Sequence, residues 1–198
     1  MKLYYSGRSP YARRARIAAR LSELSVEEID ISPLQLEDHF MLKHGPGGKV
    51  PGLETDSGTY LCESLIITNY LNQQAEGKLM PSEGTGAEAA MELEGLGSLL
   101  MDSLFVRAME NRRELDEQSP GLIKKEAARA FRCYDALDIR LSGQSATLHL
   151  GTIAAVASLG YADWRHPDDE WRQGRDGLKA WFDEMMQNPA VAETKPIF

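Results

Sequence analysis

Three short stretches in the first third of this 198-residue chain carry the side chains best suited to chemistry. Ser9 opens a Ser9-Pro10-Tyr11-Ala12 run, Lys49-Val50-Pro51 follows a glycine-rich segment, and Glu63-Ser64 comes directly after Leu61-Cys62. A hydroxyl residue followed by proline marks a helix start. There, unsatisfied backbone N–H groups and the positive end of the dipole stabilise a thiolate or another anion. The same pair also serves as a plain N-cap. Pro51 cannot donate to a sheet ladder, so it belongs at a strand start or edge. A cis bond before it would aim the Val50 backbone at a neighbouring site. Lys49 can hold a carboxylate or stand solvated. Glu63-Ser64 at a helix start can bind both charges of an amino acid headgroup, or merely cap the helix.

The elements that must position these residues follow from periodicity and turn chemistry. Lys2 to Tyr5 reads as a strand stopping at Ser6-Gly7. Tyr11 to Leu21 reads as a helix with Ala15, Ile17, Ala18 and Leu21 on one stripe and Arg13, Arg14, Arg16 and Arg20 largely outside it. Val26 to Ile31 suits a second strand, parallel to the first across the helical crossover. A short helix is expected over Gln35 to Lys43, and then Gly45-Pro46-Gly47-Gly48 breaks the chain. Gly52 to Thr55 and Thr59 to Cys62 flank an Asp56-Ser57-Gly58 turn as a hairpin, and Leu65, Ile66, Ile67, Tyr70 and Leu71 form an amphipathic helix. The order βαβαββα is that of an α/β thioredoxin-like domain, assigned to residues 1–79.

Past a loop at 77–86, every long segment has helical pattern. Helices are expected over Ala87 to Asp116, from Ser119-Pro120 to Leu141, over Leu150 to Trp164, and over Gly174 to Gln187, before Asn188-Pro189. Residues 86–198 are therefore assigned to an all-α helical domain.

Composition narrows the function. A net charge of −8 repels phosphates and anionic lipid, so no nucleic acid and no membrane is expected as a partner. No run approaches the ~20 apolar residues of a membrane helix. The N-terminus lacks the charged head and apolar stretch of a signal peptide, so a cytoplasmic location is expected. Cys62, Cys133 and four scattered histidines have no metal-ligand spacing, and no metal is expected.

In combination, Ser9-Pro10-Tyr11, the loop Gly45 to Pro51 and Glu63-Ser64 resemble the glutathione site of bacterial cytosolic glutathione transferases with a serine at the active-site position. Leu150-Gly151-Thr152-Ile153-Ala154 through Gly160-Tyr161 and Trp164, then Asn188-Pro189, resembles the family's buried helix and C-terminal finish. The resemblance implies glutathione as co-substrate and a small hydrophobic electrophile as its partner, the chemistry of detoxification. It places Ser9 opposite the glutathione sulfur, Val50 before a structural cis-proline at Pro51, Glu63 and Ser64 at the γ-glutamyl headgroup, and Lys49 at the glycine carboxylate. It implies a homodimer through the helix from Ala87, with Asp102 either reaching the partner's glutathione or solvated. Glutathione-dependent isomerase or peroxidase activity, and a non-catalytic transferase-fold binding protein, are the alternatives.

The run from Ser9 to Ala12 also resembles a glutaredoxin motif without its two cysteines, which removes dithiol exchange at this site. Cys62 is expected in the core. Where the family starts its buried helix with a hydroxyl cap and an aspartate, this chain has His149 and Thr152, a weaker capping pair. Trp164, Trp171 and Trp181, with Tyr161 and Phe182, are expected as core.

Overall fold

Leu3 and Tyr4, 0% and 5% exposed, anchor the first strand, β1 (Lys2–Tyr5), at the centre of a four-stranded sheet. The computed structural model describes residues 1–31, 40–45, 47–81 and 84–196. α1 (Pro10–Leu21) leads to β2 (Glu27–Asp30), which pairs parallel with β1 as a helical crossover requires. α2 (Phe40–His44) covers part of the expected short helix, and residues 35–39 lie outside the described residues, as does Pro46. β3 (Gly52–Glu54) and β4 (Tyr60–Cys62) form the hairpin, closed by a hydrogen bond from Gly58 N to Thr55 O at 3.0 Å. The strand order is β2-β1-β3-β4, with β1–β3 and β3–β4 antiparallel, and α3 (Ser64–Gln74) follows.

The arginines of α1 depart from the amphipathic expectation. Arg13, Arg14 and Arg16 are 3%, 1% and 5% exposed. Both long faces of α1 are covered: α3 packs on it, and so does α8 (Pro189–Ala192), from the far end of the chain. Arg13 Nη2 donates to Val191 O at 3.2 Å, and Arg16 Nε donates to Glu28 on β2 at 2.7 Å. Arg20 bridges Glu28 at 2.6 Å and Glu193 at 2.7 Å. A long apolar stem with a charged tip tolerates this burial only because the tip is hydrogen-bonded.

The described residues divide into two units, Met1–Glu83 with Pro189–Phe198, and Gly84–Asn188. The segment from Pro189 onward thus groups with the first unit, where α8 and Glu193 meet α1, and not with the helical unit expected over 86–198.

The second unit comprises α4 (Gly84–Glu110), α5 (Pro120–Leu141), α6 (Leu150–Arg165), a 3-10 turn (Pro167–Asp169) and α7 (Asp176–Met185). α4 stops short of Asp116 because its apolar stripe ends at Met109. The turn beyond is held by Glu110, which accepts from Ser119 N at 2.6 Å, and by Gln118, which donates to Arg113 O at 2.9 Å. α6 is buried from Leu150 to Ala162 and lies against α4 at glycine contact distance. A Cβ on Gly97 would come 2.7 Å from the Ala154 carbonyl carbon, and one on Gly151 would come 2.3 Å from Ala90 O. Ser158 Oγ donates across this seam to Gly97 O at 2.8 Å. Tyr161, Trp171, Trp181 and Phe182 are buried here as core, and Trp164 is half-buried.

Candidate functional site

Sheet topology explains how the three stretches come together. β1 runs out at Tyr5, four residues before Ser9. Tyr4 pairs with Gly52, the first residue of β3, and Gly52 pairs with Cys62, the last of β4. The chain therefore leaves β1 toward Ser9, enters β3 from Val50-Pro51 and leaves β4 toward Glu63-Ser64, all at one end of the sheet. Residues far apart in sequence become neighbours because β3 is antiparallel to both β1 and β4.

Ser9 is the N-cap of α1, with extended φ of −96° and ψ of 122°, and it is half-buried. Its Oγ accepts from Ala12 N at 3.1 Å, while its own N–H donates to Ser6 O at 3.0 Å. Pro10 has no N–H, and Arg13 N donates to Ser9 O at 3.0 Å. The helix start is thus less an open cradle of amides than its sequence suggests. What it offers an anion is the dipole and the Ser9 O–H, which stays available as a donor while the oxygen accepts. Cap and donor are compatible roles.

The Val50–Pro51 bond is cis. Among the described residues no backbone hydrogen bond engages Val50. Lys49 beside it is exposed and unpaired among the described residues.

Glu63 has φ of 67° and ψ of 123°, a conformation that costs a non-glycine residue of order 1–3 kcal/mol. It caps α3 through its backbone alone, as Ile67 N donates to Glu63 O at 3.0 Å and the carboxylate makes no cap bond. That carboxylate is exposed and free of any ion pair among the described residues. Ser64 is 5% exposed, yet its hydroxyl bonds no other described residue. The unpartnered Ser64 hydroxyl and the exposed carboxylate of the strained Glu63 beside it are both open to a ligand. The positive φ of Glu63 carries no sequence signal, because glycine or asparagine is the usual occupant of such a position.

Cys62 is exposed, not in the core as expected. It sits on the face of β4 shared with Tyr60, where a Cβ on Gly45 would lie 3.0 Å from its Sγ. Among the described residues no group of three or more metal-ligating side chains occurs, and no helix is long and apolar enough to cross a membrane.

Residues 3–79 match the family model described as the glutathione S-transferase N-terminal domain. A glutathione S-transferase from Methylobacillus flagellatus, solved with glutathione bound, superimposes with a TM-score of 0.91 at 27% identity, over 99% of each chain. The protein has the glutathione transferase fold. A glutathione transferase family member from Pseudomonas fluorescens, solved with S-(propanoic acid)-glutathione, matches over 100% of both chains at 28% identity and a TM-score of 0.84. A GST-like protein of Escherichia coli, YibF, is 26% identical over 200 residues, 99% of this chain and 98% of its own. In this transferase fold the described βαβαββα unit is the thioredoxin-like part and α4 to α7 the helical part.

Proposed function

We propose that this protein is a glutathione transferase that conjugates the glutathione thiolate to small electrophiles. The observation that carries the reading is the convergence, at one end of the sheet, of a helix-capping hydroxyl, a strand entered through a cis-proline and a headgroup pair whose side chains are uncommitted. In this reading Glu63 takes the γ-glutamyl ammonium, and Ser64 and the α3 N-terminus take its carboxylate. Val50 pairs its backbone with the cysteinyl unit, and Lys49 holds the glycine carboxylate. Ser9 donates to the sulfur and is not the nucleophile. Bound glutathione in the Methylobacillus structure supports the ligand, and the Pseudomonas structure shows a relative that accommodates a substituent on sulfur.

Titration calorimetry with glutathione tests the site. Micromolar to millimolar binding is expected, weakened about tenfold or more by Glu63→Gln, since a charge-assisted hydrogen bond contributes roughly 1.5–3 kcal/mol. Absence of binding at millimolar ligand would reject the function.

The protein works as a homodimer in this reading. Met91, Leu99 and Val106 stand 61%, 50% and 37% exposed on α4, at spacings that keep them on one side of the helix with Asp102. Sedimentation should give a dimer that Leu99→Lys shifts toward monomer; a wild-type monomer at micromolar concentration removes the proposal.

A further inference from the structure

Arg8 stands immediately before the sulfur-facing Ser9, in the turn that delivers the chain from β1 to α1. Its backbone is fixed there, with Arg8 N donating to Ser6 Oγ at 3.4 Å and the next amide bound to Ser6 O. Its side chain is exposed and makes no ion pair or hydrogen bond among the described residues. Several cations of the same unit are already paired: Arg16 and Arg20 with Glu28, Arg20 again with Glu193, and Lys78 with Glu23. An unpaired arginine one residue before Ser9, in a chain with net charge −8, is available to an anionic ligand. The Lys49 cation belongs to the stretch that enters β3, and in the proposed pose it serves the glycine end of glutathione.

We propose that Arg8 is a specificity-determining residue that selects electrophiles bearing a carboxylate, which its guanidinium pairs on the sulfur side of the site. The inference rests on the conjugation reading above and narrows its substrate class to unsaturated carboxylic acids. In the addition, the glutathione sulfur forms a bond to the β-carbon. The electrons of the carbon–carbon π bond move to the α-carbon and onto the carboxylate, and the α-carbon then takes a proton from water. Two anions, thiolate and carboxylate, must meet for this to occur, and charge builds on the carboxylate as the bond forms. A fixed planar cation offsets both penalties, and Arg offers the bidentate geometry for it. An amide or ester electrophile needs no such partner.

The test compares S-(2-carboxyethyl)glutathione with its neutral isostere S-(2-carbamoylethyl)glutathione by calorimetry, on wild type, Arg8→Gln and Arg8→Lys, beside rates of glutathione addition to acrylate and acrylamide. Wild type should bind the carboxylate conjugate at least about tenfold more tightly than the amide. Arg8→Gln should bring that ratio near one while leaving glutathione itself within about twofold, and Arg8→Lys should retain part of the ratio. Acrylate turnover should fall in Arg8→Gln while acrylamide turnover holds. A wild-type ratio near one, a ratio unchanged in Arg8→Gln, or an equal loss for glutathione itself overturns the assignment to Arg8 and leaves the conjugation reading standing. Failure of wild type to bind glutathione at all overturns both.

Discussion

At the residue scale the proposed conjugation turns on Ser9, whose oxygen would have two obligations. It accepts the Ala12 amide at 3.1 Å, and its proton is free for a sulfur. A free thiol ionises near pH 8.5, and a donor that favours the thiolate by one to two pKa units stabilises it by about 1.4–2.7 kcal/mol. Ser9→Ala should therefore raise the pH at which bound glutathione ionises, and also destabilise the fold by about 1 kcal/mol through the lost cap. Ser9→Gly separates the two effects, since glycine caps nearly as well as serine: the ionisation should shift as in the alanine variant with only a few tenths of a kcal/mol lost. Thiolate absorbance against pH, with denaturant midpoints, reads both. Unshifted ionisation in both variants would leave Ser9 as a cap alone. The neighbouring motifs were legible as candidates because capping and proline chemistry are local. The φ of Glu63 was not, because it is imposed by β4 passing directly into α3, and exposure of Cys62 was not, because it depends on what packs over β4.

At the element scale α6 shows what a substitution in a capping pair does. Thr152 Oγ1 accepts from His149 N at 2.9 Å and donates to the Thr147 and His149 carbonyls, at 2.8 and 3.0 Å, so one half of the box survives. The imidazole makes no cap bond, and its Nδ1 is buried without a hydrogen-bond partner among the described residues. A poor cap on a helix that is buried along most of its length leaves stability to be gained. His149→Ser should add about 1 kcal/mol, read as a higher urea midpoint at unchanged slope. A lower midpoint would mean that packing of the imidazole outweighs the missing cap bond.

At the scale of the whole molecule, buried ionisable groups set the response to acid. Burial lowers the pKa of His149, and burial is likewise the largest influence lowering that of His166, whose Nε2 meets Leu104 O at 2.9 Å. For a histidine held neutral in the fold, the unfolded chain binds the proton more readily. Stability is then complete above the ordinary value near 6.5 and declines as the pH falls below it. Glu28 adds to this at lower pH. Its burial opposes ionisation, but hydrogen bonds from Arg20 and Arg16 outweigh that and hold its carboxyl below the usual range. Its contribution is present above the ordinary carboxyl pKa and is lost as the pH falls through the lowered one. Urea midpoints should fall in two stages, from pH 7 to 5 and again below about 4. His166→Gln should flatten the first stage, and midpoints unchanged from pH 7 to 5 in wild type would contradict the histidine contribution.

The sequence by itself determined most of the elements and their order, though not the short α8 after Pro189. β1 at Lys2–Tyr5 and α5 from Pro120 to Leu141 have the expected bounds, because periodicity, proline at N1 and turn residues act within a few positions. Only the tertiary structure decided what covers each element. Arg13, Arg14 and Arg16 look solvated on a helical wheel and are buried because α3, β2 and, from about 180 residues later, α8 all lie against α1. Arg16 is bonded to Glu28 on β2 and Arg13 to Val191 O of α8. The convergence of Ser9, Val50 and Glu63 likewise follows from antiparallel pairing on either side of β3. Local chemistry chooses a residue's conformation, whereas its burial and its neighbours are set by chain segments that the local sequence does not contain.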